Sequence, residues 1–148
     1  NPDSKCEAVP ADILTWSDGQ ALIATGTAFP AVEYQNRLVE IAQCNNALAF
    51  PGIGLGVLAI FATQLTDNML FAASAALSEY TKDGSLLPGV SDVEAASKDI
   101  AIAVANAAVR DGVCGIPIEK PIETYITQTQ WHPRYLAYQP ANKKNRAT

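Results

Sequence analysis

The residues of this sequence best suited to chemistry are two adjacent asparagines, Asn45 and Asn46, that stand directly before an apolar, glycine-rich segment. No charged residue occurs between Ile41 and Thr66. Side-chain amides at the start of a helix lie near backbone N–H groups without a partner in the helix, so they can help to hold a carboxylate or a cofactor amide. Asparagine is also a good N-cap, and this purely structural role stays open for both residues.

Three glycines follow the asparagine pair, in the segment Gly52-Ile53-Gly54-Leu55-Gly56. The dinucleotide-binding fingerprint needs glycines at positions one, three and six, directly after a strand and at the start of a helix. Both the spacing and the context differ here. We therefore expect these glycines to allow close packing between helices and not to bind a phosphate.

The histidine and the acidic residues form no pattern typical of a catalytic or metal centre. His132 is the only histidine, and no serine or cysteine stands at a spacing that would support a triad. No group of Asp, Glu, His and Cys has metal-ligand spacing. We expect His132 to be a surface or interface residue.

Composition limits the classes of function. With 148 residues, 49% of them hydrophobic, the chain can bury one sizeable core, so a single domain is expected. A net charge of −5 argues against nucleic acid as a partner. Three widely spaced cysteines suit neither a disulfide framework nor a zinc site, and favour a reducing, cytoplasmic location.

The two ends of the chain and its most apolar stretch lead to further expectations. The polar start without a methionine indicates that the chain was cut from a longer one, with no signal peptide. The apolar run 47–62 is too short and too rich in glycine to span a membrane, so a buried core helix is expected. Residues 141–148 have nothing to bury, and we expect them to be disordered.

Periodicity and punctuation residues predict a mixed, predominantly helical chain. The first half shows a helix Ser4–Trp16 entered through Pro10 and ended by Gly19, an apolar strand, and a small hairpin. The strand Ala21–Thr25 is apolar on both faces, which is typical of a parallel sheet. It has no partner of its own kind in this chain, so we expect it to be the last strand of a sheet that lies upstream. The hairpin strands are 32–34 and 38–41.

The second half is predicted to be helical throughout. Thr66 can cap a helix that runs to about Tyr80, with one apolar stripe along it. Ser91 and Glu94 have the spacing of a capping box. The predicted helices are 51–63, 67–80, 92–111 and 121–130.

The segment from Gln43 to Gly56 resembles the malic enzyme family, in which a Gln-x-Asn-Asn motif precedes a Phe/Tyr-Pro-Gly helix. The resemblance extends from Asn1-Pro2 to residues 131–135, and Cys44 departs from the small residue of the family pattern. It implies that residues 1–140 are the C-terminal portion of a Rossmann-like NAD-binding domain plus trailing helices, which is a mixed α/β, predominantly helical fold.

The resemblance also implies roles for three asparagines. Asn1 would contact the cofactor near the nicotinamide ribose and lie close to the substrate. Asn45 would hold the malate carboxylate, and Asn46 would lie on the cofactor side. The alternative for Asn1 is a loop asparagine that bonds its own backbone before proline. The family's catalytic acid, base and metal ligands all lie upstream, so none is assigned here.

The activity implied by the resemblance is oxidative decarboxylation of L-malate to pyruvate with NAD or NADP and a divalent metal, Mg or Mn. This chain would supply one wall of the site, be inactive alone, and need an upstream catalytic half. We expect a homo-oligomer, and the aromatic residues Trp131, Tyr135 and Tyr138 to pack on another domain or subunit. The alternatives are a malolactic enzyme, which forms lactate, and a non-catalytic helical interaction domain.

Overall fold

A computed structural model of the chain describes residues 3–81 and 85–135. In this part the fold is mixed α/β and predominantly helical, as predicted, with five α-helices and four short strands. Single 3-10 turns lie at Asp3–Lys5, Asn46–Leu48 and Val90–Asp92. In chain order the elements are α1 Pro10–Trp16, β1 Ala24–Thr25, β2 Val32–Tyr34, β3 Arg37–Val39, β4 Ala42–Gln43, α2 Phe50–Ala59, α3 Asp67–Ser78, α4 Val93–Arg110 and α5 Ile122–Thr129.

The apolar strand β1 pairs in parallel with β4, with Ala24 opposite Ala42 and Thr25 opposite Gln43. The expectation that this strand has no partner of its own kind in the chain is therefore wrong. A parallel pair needs a crossover between its strands, and here the β2–β3 hairpin lies in that connection. Strand β4 has only two residues, which is too short for a periodic pattern to show it.

The small hairpin is confirmed, with antiparallel strands β2 and β3. Gln35 and Asn36 form its two-residue turn, and both have positive φ, 49° and 58°. Positive φ at both central residues is the mark of a type I′ turn, whose twist matches that of the strands. The second strand ends at Val39 and not at residue 41.

The first helix begins at Pro10, so its predicted start at Ser4 is wrong. Val9 has φ −95° and ψ 150°, because the ring of a following proline disfavours helical backbone at the residue before it. Pro10 occupies the first turn of the helix, where no backbone N–H is needed. Gly19 has φ +73°, which confirms the left-handed residue expected after the helix.

Of the two N-terminal caps predicted for α3 and α4, the first is present in the structure and the second is not. Thr66 caps α3 as predicted, since its hydroxyl accepts a hydrogen bond from the backbone N–H of Met69 at 3.3 Å. The capping box predicted for Ser91 is wrong. Ser91 lies inside the 3-10 turn that precedes α4, and the N-cap residue is Asp92 with helical backbone and no side-chain cap bond. A cap side chain needs extended backbone to reach back to the first turn.

The core is centred on α4, whose inner face includes the fully buried Ile100 and Val104. A Cβ atom on Gly52 of α2 would lie 2.6 Å from Ile100 Cβ, and one on Gly56 would lie 2.7 Å from the carbonyl oxygen of Ala101. These two glycines therefore allow close helix packing, as predicted. A Cβ on Gly54 would have no atom within 4 Å outside its own stretch of helix, so the prediction is wrong for this glycine.

Asp111 joins the end of α4 to the start of α3. Its carboxylate accepts hydrogen bonds from the Thr66 hydroxyl at 2.5 Å and from the Asn68 amide at 2.9 Å. The bond from Thr66, and then that from Asn68, lowers the pKa of Asp111, because both donors favour the charged carboxylate.

Other predictions concern the surface and the ends of the chain. Within residues 3–81 and 85–135, none of the helices has the length and apolar character needed to cross a bilayer. None of the three cysteines, all of which lie in the described residues, forms a disulfide. Tyr138 and the predicted disordered tail, residues 141–148, lie outside the described residues.

Candidate functional site

The parallel strands β1 and β4 end side by side at one edge of their small sheet. The backbone N–H of Ala42 donates to the carbonyl of Ile23 at 3.2 Å, and that of Cys44 donates to the carbonyl of Thr25 at 2.8 Å. Residues 25–27 and 44–46 therefore leave the sheet next to each other. Ligands of open α/β sheets bind at the carboxyl ends of the parallel strands, so this edge is the candidate site.

Asn45 follows β4 at this edge and caps the 3-10 turn Asn46–Leu48. Its backbone is extended, with φ −120° and ψ 137°, and its side-chain oxygen accepts from the N–H of Ala47 at 2.9 Å. The structural role of Asn45 as a cap is therefore present. Because the cap bond engages the amide oxygen, the amide nitrogen of this exposed side chain offers two N–H donors to the outside.

Packing behind the two asparagines holds them in place. Leu48, at the end of the turn, is only 3% exposed, and Pro51 stands in the first turn of α2 directly afterwards. The backbone carbonyl of Asn46 accepts from the N–H of Ala49 at 3.2 Å, while its side chain is exposed. Asn46 therefore stands beside Asn45 on a surface fixed to the helical core. Asn1, the third predicted site residue, lies outside the described residues.

A cleft of about 330 Å³ lies beside β1 and includes the end of that strand. Thr25 and Thr27 line it, and the Thr25 hydroxyl donates to the Thr27 carbonyl at 2.7 Å. Neither threonine is predicted as a site residue from the sequence. Thr25 ends the predicted strand and Thr27 follows it two residues later, so the rule that ligands bind at strand ends could have found both. The lining residues are Lys5, Cys6, Glu7, Ala8, Ile13, Ile23, Ala24, Thr25, Gly26, Thr27 and Phe29.

Two tyrosines have raised pKa values for reasons that are local. Partial burial, and then the negative charge of Asp18, raises the pKa of Tyr34, whose hydroxyl donates to Asp18 at 3.3 Å. The hydrogen bond to Asp99, at 2.6 Å, is the main cause of the raised pKa of Tyr80. Neither tyrosine lines the cleft beside β1, and each bonds to a carboxylate more than ten residues away in the chain.

The residues that the structure describes hold no group of three or more His, Cys, Asp and Glu side chains able to bind a metal ion. His132 is exposed. The nearby aromatic side chains are exposed as well: Trp131, directly before His132, is 79% exposed, and Tyr135, three residues after it, is fully exposed. These aromatic side chains therefore do not pack on the core of the described chain.

Comparisons with known proteins agree in assigning one family. A family profile described as malic enzyme, NAD-binding domain, matches residues 1–109. The NAD-dependent malic enzyme of Psychromonas ingrahamii is 48% identical over 143 residues, which cover 93% of this chain and 26% of that protein. The enzyme of the same name from Acinetobacter baylyi is 45% identical, with 93% of this chain and 25% of that protein covered.

A solved structure gives the same result at the level of the fold. The crystal structure of Entamoeba histolytica malic enzyme matches with a TM-score of 0.64 and 26% identity, over 83% of this chain and 24% of that one. The chain thus spans about a quarter of the length of these relatives. The resemblance seen around Asn45 and Asn46 is confirmed. Since the family profile covers more than half of the sequence, the chain belongs to the malic enzyme family and includes part of its NAD-binding domain.

Proposed function

We propose that this chain forms one wall of the NAD and malate site of an NAD-dependent malic enzyme, which decarboxylates L-malate oxidatively to pyruvate. The observation that carries the proposal is the parallel pairing of β1 with β4. This pairing places Asn45 and Asn46 next to the end of β1, where Thr25 lines the cleft, although neither asparagine is among the residues that line it. The names of the relatives support NAD as the cofactor.

The cap bond gives Asn45 a defined chemical role. With its amide oxygen engaged by Ala47, the side chain presents N–H donors, which suit a carboxylate acceptor such as malate. A neutral amide orients the substrate without adding a second charge. Asn46, and Asn1 by family resemblance, would contact the cofactor. When bound, NAD supplies the acceptor for the hydride that leaves the carbon bearing the malate hydroxyl.

The divalent metal implied by the family, Mg or Mn, does not fit the residues described here. They contain no cluster of candidate ligands, so we derive no step through the metal. We propose that the metal ligands and the catalytic acid and base belong to an upstream catalytic half, and that the isolated chain does not oxidise malate. We further propose that the enzyme is cytoplasmic.

Exposed apolar side chains support a partner for this chain. Phe50 and Leu58 on α2 are 71% and 66% exposed, and Phe71 on α3 is 74% exposed. Single exposed apolar residues are normal, but several large ones on neighbouring helices are typical of an interface. We propose that the remainder of the enzyme covers part of this surface and that the enzyme is a homo-oligomer.

The function is tested in a hybrid enzyme in which this chain replaces the matching segment of the Psychromonas ingrahamii enzyme. We expect the hybrid to oxidise malate with NAD and a divalent metal. Asn45→Asp and Asn45→Ser both keep a side-chain oxygen for the cap, so we expect the unfolding temperature to change little. Asn45→Asp has no side-chain donor, and Asn45→Ser keeps only one hydroxyl on a shorter side chain. The loss of a hydrogen bond to a charged ligand is expected to lower kcat/KM for malate at least about tenfold.

The matched control for the charge change is Asn36→Asp, in the exposed hairpin turn. Asparagine and aspartate both tolerate the positive φ found at this position, so we expect wild-type kinetics and stability. If Asn45→Asp and Asn45→Ser are as active as the parent hybrid, Asn45 is only a cap. If the parent hybrid folds but does not oxidise malate, the proposed function is wrong.

A further inference from the structure

We propose that Thr25 is a positioning residue for the cofactor: its hydroxyl fixes the turn of residues 25–27, which lines the cleft where the nicotinamide end of the dinucleotide binds. This inference rests on the proposed function and deepens it. Thr25 lines the cleft together with Gly26 and Thr27, and its hydroxyl shapes this wall without taking part in the reaction.

The backbone of Thr25 is fixed by the sheet. Its carbonyl accepts from the N–H of Cys44 at 2.8 Å, the last ladder bond before Asn45. The end of β1 and the start of the asparagine pair therefore hold a constant relative position. A displacement of the chain at Thr25 would pass directly to Cys44 and its neighbour Asn45.

The side chain of Thr25 fixes the backbone beyond the end of the strand. Its partly buried hydroxyl donates to the carbonyl of Thr27 at 2.7 Å. Side-chain to backbone bonds of this kind, two residues apart, define the conformation of short turns. Residues 26 and 27 are thus held against the strand end although they lie outside the sheet ladder.

The same cleft is also lined by residues 5–8, which follow Asn1 closely in the chain. By family resemblance Asn1 would contact the cofactor near the nicotinamide ribose. The cleft, of about 330 Å³, combines hydroxyl and charged groups with apolar side chains such as Ile13 and Phe29. This combination suits an amide-bearing ring attached to a sugar, since binding sites are mostly apolar with a few placed polar groups.

The predicted effect of the hydroxyl is on affinity for NAD. Without the hydroxyl, the turn of residues 25–27 is less ordered in the free enzyme. Ordering it when NAD binds costs conformational entropy, which weakens binding. Loss of one neutral hydrogen bond corresponds to a change of about threefold to tenfold. We expect the change in KM for NAD, with little change in kcat, because the turn is assigned to binding and not to the reacting atoms.

The test uses the hybrid enzyme with Thr25→Val, which keeps the shape of the side chain without the hydroxyl, and Thr25→Ser, which keeps the hydroxyl. KM for NAD and for malate and kcat are measured for each variant. Thr127→Val is the matched control, because the Thr127 hydroxyl donates to the carbonyl of Glu123 at 2.8 Å on α5, outside the cleft. We expect a raised KM for NAD in Thr25→Val only.

Each other outcome has a defined meaning. Unchanged KM for NAD in Thr25→Val, an equal rise in Thr25→Ser or Thr127→Val, or a change confined to kcat would overturn the positioning role. A Thr25→Val hybrid that does not fold would also contradict it, because the hydroxyl would then act in folding. A folded parent hybrid without malate oxidation would instead show that the proposed function fails.

Discussion

Replacing glycine by alanine at two positions of α2 separates the packing role of glycine from its helix propensity. Gly54 and Gly56 lie in the same helix, Phe50–Ala59, and each substitution adds one methyl group. An alanine at Gly54 would meet no atom within 4 Å, whereas one at Gly56 would lie 2.7 Å from the Ala101 carbonyl oxygen and 2.9 Å from Val104 Cβ.

The expected difference in free energy of unfolding between Gly54→Ala and Gly56→Ala follows from the different surroundings of the two sites. Both variants gain the same helix propensity, about 1 kcal/mol for alanine over glycine, so Gly54→Ala is expected to raise the free energy of unfolding by that amount. Gly56→Ala carries in addition the cost of overpacking, about 1–3 kcal/mol. Because a backbone carbonyl of α4 cannot move without the helix, we expect a difference of about 2–3 kcal/mol between the variants.

Urea unfolding followed by circular dichroism gives this difference directly, provided that the slope of free energy against urea is the same for both variants. Gly52→Ala is a second test, since its Cβ would lie 2.6 Å from Ile100 Cβ, and we expect it to behave like Gly56→Ala. Equal stability of Gly54→Ala and Gly56→Ala would show that α2 and α4 do not pack as closely as described.

Two further predictions concern pH and association. The pKa of Asp111 is lowered in the folded chain by its bonds to Thr66 and Asn68. These bonds therefore stabilise the fold fully above the ordinary carboxyl pKa of 3.8. Their contribution falls progressively as the pH drops through the lowered pKa. Thermal unfolding should therefore show Asp111→Asn to be less stable than the parent at pH 6, with a gap that narrows at lower pH; a gap independent of pH would contradict this. The exposed Phe50 and Phe71 predict association of the isolated chain, so light scattering at high concentration should detect a dimer or larger species. A monomer at high concentration would contradict this expectation.

Local signals in the sequence predicted much of the fold. Thr66 marks a helix start because it combines a capping side chain with the onset of an apolar stripe, and Gly19 marks a turn because it accepts positive φ. The Gln-x-Asn-Asn motif identified the family, which the comparisons confirmed. Each of these signals depends on residues within one turn or one short motif, where the chemistry of neighbouring residues is sufficient.

Features that depend on distant residues were decided only by the tertiary structure. The sequence does not distinguish Gly54 from Gly56, because only the approach of α4 makes one crowded and leaves the other open. The partner of β1 was equally hidden, since β4 is recognisable only by its ladder bonds to Ile23 and Thr25. The residue type of Asn45 and its local bond from the N–H of Ala47 determine that the amide N–H groups remain for a ligand. The pairing of β1 with β4, which joins segments far apart in the chain, determines the sheet edge at which those groups lie.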